Sequence, residues 1–184
     1  MAFADPTPFL PHKTISAKGR TLVIRDVAPH EVDQILALQE LIHHQMTDPE
    51  IYADTDRGQF EESLRSDYVW GAYDGDILTA VATLIRNRDS QRNLGKKCGE
   101  HPASCFTLDA IFVHPAYRGM GLQAAFIMLA KAQAKADGGV SVWATVSPKN
   151  AHSYKNLEKE GFYPFQQGVV MYGKHLRDIM ICNL

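Results

Sequence analysis

The chain has 184 residues, 45% of them hydrophobic and 22% charged, a balance that suits one soluble domain with a full core. With 19 basic residues against 21 acidic ones and a net charge of -2, no broad cationic field exists to hold a nucleic-acid backbone by counterion release. No apolar run approaches the roughly 18 uncharged residues of a membrane span, and three cysteines without a signal-peptide pattern point to the reducing cytoplasm.

Prolines at 6, 8 and 11 fix φ and remove amide donors, so residues 1–18 are expected to form an extended arm outside a domain spanning 19–184. Thr21 to Arg25, rich in β-branched residues, predicts a strand. Val32, Ile35, Leu36, Leu38 and Ile42 then recur at three- and four-residue steps, the stripe of a half-buried helix. A second helix is expected over Asp56 to Leu64. Tyr68 to Tyr73 and Ile77 to Ile85 flank Asp74-Gly75-Asp76, the signal of an antiparallel hairpin. Residues 86–104 carry Arg86, Arg88, Arg92 and Lys96 among glycines and a proline, which predicts a long loop of the kind that borders binding sites.

Phe106 to Val113 predicts the next strand. Gly121 to Ala136 predicts a helix with Leu122, Phe126, Leu129 and Gln133 on one side, closed by Asp137-Gly138-Gly139. A strand over Val140 to Val146, a helix over Asn150 to Glu160 and two strands between Phe162 and Ile181, divided near Gly173, complete the order. The expected fold is a single-domain α/β structure. Its mixed, mostly antiparallel sheet has six to seven strands, with helices on both faces.

The chemistry concentrates in the segment from Phe112 to Ala124, which runs from a strand end through a loop into a helix N-terminus. The first turn of a helix presents amides with no intrahelical acceptor, and the macrodipole adds positive charge there, so phosphate is attracted. Gly119 and Gly121 keep side chains off the backbone, and Arg118 adds a cation. A Walker A loop is excluded because Leu122 and Gln123 stand where lysine and serine or threonine are needed. Gly119 to Ala124 matches the dinucleotide fingerprint G-x-G-x-x-A, but the acid expected at the tip of the following strand is replaced by Thr145-Val146-Ser147-Pro148. A nucleotide-dependent oxidoreductase is therefore the weaker alternative.

Val113-x-Pro115-x-Tyr117-Arg118-Gly119-x-Gly121-Leu122 resembles the acyl-CoA pyrophosphate loop, Q/R-x-x-G-x-G/A, of the GNAT superfamily of N-acyltransferases. Asn150-x-x-Ser153-x-x-x-Leu157-Glu158-Lys159-x-Gly161-Phe162 is similar to the family's later N-x-x-A-x-x-x-Y-E-K-x-G-F helix. The resemblance implies a central V-shaped splay in the sheet, opened by a bulged strand. Ile111, Phe112 and Val113 would pair with the pantetheine arm of acetyl-CoA, and one of their N–H groups would polarise the thioester carbonyl. Arg118, Gly119, Met120, Gly121, Leu122, Gln123 and Ala124 would hold the diphosphate, with Asn150 and Ser153 contacting the cofactor. The implied activity is acetyl transfer to a primary amine of a small molecule or protein by direct attack in a ternary complex. A homodimer is implied by the resemblance alone.

Three positions depart from the family pattern. Gln123 replaces the last small residue of the loop, so its side chain must turn away or bond the cofactor itself. Leu157 replaces a tyrosine that protonates the leaving thiolate in many relatives, and Tyr154, three residues earlier on the same helix, is the candidate substitute. Thr145 replaces a glutamate base, leaving Asp109 as the nearest acid in the sequence and the candidate base. Leu157 is expected to tolerate tyrosine. Asn150 also suits a helix cap. Cys98, His101 and Cys105 lack a fourth ligand, so no metal site is expected, and the adjacent His43 and His44 point to different helix faces. The missing tyrosine and glutamate make a non-catalytic acyl-CoA-binding module the main alternative.

Overall fold

The structure, a computed structural model, describes residues 13–46, 48–86 and 90–184. In chain order its elements are β1 (Lys13–Ala17), β2 (Arg20–Asp26), α1 (Val32–His44), α2 (Arg57–Ser66), β3 (Tyr68–Asp74), β4 (Ile77–Ile85), α3 (Leu94–Lys97), β5 (Cys105–Val113), α4 (Leu122–Ala136), β6 (Ser141–Val146), α5 (Ala151–Lys159), β7 (Tyr163–Met171) and β8 (His175–Asn183). The strands form one eight-stranded sheet in the order β1-β2-β3-β4-β5-β6-β8-β7. Neighbours are antiparallel except β5 and β6, which run parallel because α4 carries the chain back between them.

The eighth strand is β1, within the expected N-terminal arm. Lys18 and Gly19 take φ of 50° and 73°, the left-handed pair of a two-residue hairpin turn, and residues 13–17 pair with β2. The prolines that argued for an arm stop at residue 11, so every amide from Lys13 onward can join the ladder. Residues 1–12 and Arg88 of the basic cluster lie outside the described residues. Another unpredicted element is α3, one turn inside the expected 86–104 loop, capped by the Asn93 side chain on the Lys96 amide.

Helices cover both faces. One cluster packs Leu122, Phe126, Leu129 and Leu157 of α4 and α5 against Leu22, Trp70, Leu84 and Met180. The other packs Ile35, Leu38, Ile42 and Phe60 of α1 and α2 against Val69, Val81 and Phe112. The register between β4 and β5 slips by one residue: Thr83 is opposite Ala110, whereas Leu84 is opposite Leu108. Asp109 is the extra residue, a β-bulge that reverses the alternation of β5. Phe106 and Leu108 thus join the α4 side, while Ala110 and Phe112 join the α1 side.

Candidate active site

Pairing between β5 and β6 stops at Leu108 opposite Ala144, one residue before the bulge. Beyond that point β5 and β6 no longer pair, and a cleft opens between them. Asp109 to Ile111 and Ala144 to Val146 form its throat. Gln123, Asn150, Ser153 and Leu157 line the α4–α5 mouth, and Tyr52, Gln59, Arg92, Tyr172 and Arg177 line the other. Backbone groups of residues 109–113 that face β6 have lost a ladder partner, and an unpaired buried group costs roughly 1–3 kcal/mol. A ligand strand laid in the throat relieves that cost. Ile111 lines the cleft directly. The Phe112 ring packs instead on the α1–α2 side, 5.7 Å from Tyr52 and 6.3 Å from Phe60, so it offers the cleft only its backbone.

The loop into α4 is built for close approach. Gly119 and Gly121 adopt φ of 73° and 77°, and a Cβ at Gly121 would meet nothing within 4 Å. Gly121 is the N-cap of α4, and no side chain caps that end. Met120 and Leu122 are buried and root the loop in the core, whereas Arg118 is exposed. Three residues that sequence reasoning missed hold the loop from outside. The Tyr117 hydroxyl donates to Asp74 at 2.9 Å, and Arg20 joins the same carboxylate. These partners lower the Asp74 pKa, the Tyr117 hydrogen bond foremost. From the β1–β2 turn, Lys18 donates to the Arg118 carbonyl at 2.8 Å and brings its ammonium beside Gly119.

Asn150 caps α5, its Oδ1 accepting from the Ser153 amide at 3.1 Å, and also lines the cleft. Gln123 is accounted for by α5: its amide nitrogen donates to Ser153 Oγ at 2.8 Å and its carbonyl accepts from Asn156 at 2.7 Å. The side chain turns away from the loop and ties α4 to α5.

Asp109 projects from the bulge into the cleft with its side chain 11% exposed, and its Oδ2 accepts from Arg92 Nη1 at 2.9 Å. Arg92 is shared, since its Nη2 also donates to Ser63 Oγ at 2.6 Å and to the Gln59 carbonyl at 3.2 Å. Burial raises the Asp109 pKa and outweighs the lowering effect of Arg92. Tyr154 does not join this group. Its hydroxyl lies 3.5 Å from Gln167 Nε2, in a shallow depression shared with Asp178 and Lys155. Two tyrosines do line the cleft: Tyr52, whose hydroxyl donates to Gln39 Oε1 at 3.0 Å, and Tyr172, in the β7–β8 turn, its hydroxyl 3.2 Å from Thr145 Oγ1. Desolvation and the nearby Asp109 raise the Tyr172 pKa. Leu157 is 3% exposed and part of the core, so the expected tolerance of tyrosine there does not follow. Cys105 is buried against Asn93, and among the described residues no three His, Cys, Asp or Glu side chains gather as a metal site. No described helix is long and apolar enough to cross a membrane.

The model of the acetyltransferase (GNAT) family matches residues 35–162, from α1 through the end of the second motif. The chain belongs to the GNAT acetyltransferase family. This GNAT chain has structural neighbours of low identity and high coverage. A GNAT acetyltransferase from Listeria monocytogenes superposes with a TM-score of 0.69 at 14% identity, covering 94% of this chain and 100% of its own. YncA of Salmonella typhimurium, solved with its cofactor acetyl-CoA, gives 0.67 at 17% identity over 89% of this chain and 94% of its own. An N-acetyltransferase from Staphylococcus aureus gives 0.66 at 18% identity, covering 89% and 97%. No curated protein sequence matches significantly. Membership makes the chain an acyltransferase, and the bulge at Asp109 with the splay beyond Leu108 is the geometry anticipated from its two motifs.

Proposed function

We propose that this GNAT protein transfers an acetyl group from acetyl-CoA to a primary amine, with both bound at once in the cleft through the sheet. The observation that carries the reading is the coincidence of three features. The β5–β6 ladder ends at Leu108 and Ala144, the bulge at Asp109 turns the freed strand aside, and the cleft so formed has on its lining Gln123, in the first turn of α4, two residues past the uncapped Gly121. The residues fit the donor: Gly121 leaves room for a diphosphate, Lys18 beside Gly119 and the exposed Arg118 add charge, and residues 109–113 offer a strand edge to pantetheine. Asn150 and Ser153 supply polar groups beside it.

Bound there, acetyl-CoA brings an activated thioester, so transfer needs no acyl-enzyme. The acceptor must lose a proton first, because a lysine-like amine of pKa about 10.4 is only about one part in a thousand neutral at pH 7. Asp109 takes that proton through Oδ1, the oxygen that Arg92 leaves unbonded, and its raised pKa makes it a stronger base than an ordinary aspartate. Tyr172, with a raised pKa, stays protonated and donates a hydrogen bond into the cleft. Tyr154, on the far side of α5, has no part in this scheme.

Thiol release from acetyl-CoA, followed across a panel of primary amines, tests the reading. Amine-dependent release with matching N-acetyl product is expected. Tight acetyl-CoA binding with no release on any amine points to an acyl-CoA-binding module instead.

A further inference from the structure

Arg177 is a buried cation of the cleft, and among the described residues no carboxylate stands within ion-pair distance of it. It sits on β8 opposite Val169 and is 3% exposed. Strand alternation places it on the same face as Ile179 and Ile181, and it lines the mouth of the cleft away from α4 and α5. Its Nη1 donates to the main-chain carbonyls of Glu50 at 2.7 Å and Leu176 at 2.8 Å. Its Nη2 is buried with no hydrogen-bond partner among the described residues. The Glu50 carboxylate turns instead to Lys149 at 2.6 Å.

Two arginines less buried than this one show what is missing. Arg25 meets Glu31 and Arg92 meets Asp109, each with a carboxylate oxygen within 2.9 Å. Arg177 has two neutral carbonyls. A guanidinium does not discharge by losing its proton, and a buried charge without a counter-charge is expensive. Burial accordingly pulls its pKa down from the usual arginine value. Such a group, with a free N–H beside a cleft, is arranged for an anion that arrives with a ligand.

We infer that Arg177 binds a carboxylate on the acceptor, so that the substrate is a small amino acid or a close analogue whose amine reaches the throat while its acid group stays on β8. This rests on the acetyl-transfer reading above and names its acceptor class. Tyr172 sets the scale. The Arg177 guanidinium carbon lies 5.9 Å from the Tyr172 ring centre, and the hydroxyl of that ring lies 3.2 Å from Thr145 at the splay. Anion site and throat thus approach one and the same side chain, at its ring and at its hydroxyl, and one small molecule can present a carboxylate to the first and an amine to the second. Asp109 and Arg92 line the same space and neutralise one another, and Asp54, also on the lining, is largely exposed and lies 2.9 Å from His43, leaving Arg177 as the buried group there that selects for negative charge.

The test uses matched acceptors: glycine, methionine and phenylalanine against their primary amides, with thiol release giving kcat/KM. The amides have the less basic amines, so amine ionisation works against the expected result. At least a tenfold preference for the carboxylate member of one or more pairs is expected. Arg177→Met should bring the ratio to near one, mainly through KM, and Arg177→Lys should keep part of it. Acetyl-CoA affinity checks that each variant is folded. Amides used as well as the acids, or a preference that survives Arg177→Met in a folded protein, overturns the inference. If no amine is turned over, the transfer reading fails separately, and the anion site is then read by binding. N-acetylmethionine and N-acetylmethioninamide are titrated into the CoA-saturated protein by NMR. Shifts that are carboxylate-dependent and lost in Arg177→Met support the site, and equal binding or none overturns it.

Discussion

Glu31 and Asp109 are buried carboxylates held by arginines, yet pairing wins at one and desolvation at the other. Arg25 meets both oxygens of Glu31, at 2.8 and 2.9 Å, and the Ala28 amide adds a third donor at 2.8 Å. The Glu31 pKa falls to about 2 from an ordinary 4.5, with the Arg25 hydrogen bond as the largest cause. Because the folded pKa is the lower one, the stabilisation is complete above pH 4.5 and is lost as pH falls toward 2. Glu31→Gln is therefore expected to cost about 2–3 kcal/mol at pH 7. Urea denaturation from pH 7 to 3 should show the gap closing as the wild type loses its advantage. Asp109 has one arginine contact, to a guanidinium shared with Ser63 and Gln59, and burial prevails. Asp109→Asn should lower kcat/KM by about 10²-fold or more and abolish the acid limb of its pH profile. In the wild type that limb should lie above the ordinary aspartate value of 3.8. An unchanged rate in the variant removes Asp109 as the base.

Among the elements, those with a strong period or a turn signal were legible in the sequence. Of the α1 stripe, Val32, Ile35, Leu38 and Ile42 are buried as their spacing requires and Leu36 is half-buried at its edge, and Leu122, Phe126, Leu129 and Gln133 of α4 are buried. The Asp74-Gly75-Asp76 turn does join antiparallel strands. β1 was hidden because the prolines preceding it belong to another segment, and its strand pattern is short and polar, with only Ile15 and Ala17 half-buried. α3 is a single turn held by Asn93, too short for a period to register. At Leu157 the motif was read correctly but its surroundings were not. Tyrosine would restore the family residue, yet the side chain is packed in the α4–α5 core. Overpacking costs about 1–3 kcal/mol, so Leu157→Tyr should lower the melting temperature, and activity measured at a fixed temperature should fall rather than hold. A variant as stable as the parent contradicts that packing.

At the scale of the molecule, the two halves of the cleft differ in how they are written in the chain. The half proposed for the donor is continuous: a bulged strand, a glycine loop and a helix start, all within residues 105–124, with α5 following one strand later. Local spacing therefore exposes it, and even Gln123 signals a departure whose resolution, a tie to Ser153 and Asn156, lies on α5. The half proposed for the acceptor brings together Tyr52, Arg92 and, from the β7–β8 hairpin, Tyr172 and Arg177, three separate segments of the chain. No short motif can encode that assembly, which is why the sequence pointed to Tyr154 and not to Tyr172. Likewise the supports of the loop, Lys18, Arg20 and Asp74, come from two hairpins far upstream.

The most direct test of acetyl-CoA binding at the start of α4 is calorimetric titration of acetyl-CoA into the wild type and Gly121→Trp. A Cβ at position 121 enters open space, and the left-handed backbone costs the variant only about 1–2 kcal/mol, so its fold should persist while the indole fills the diphosphate position. Saturable one-to-one binding by the wild type and none by a folded Gly121→Trp is the expected result. Equal affinity in both proteins, or no binding by either, contradicts the account.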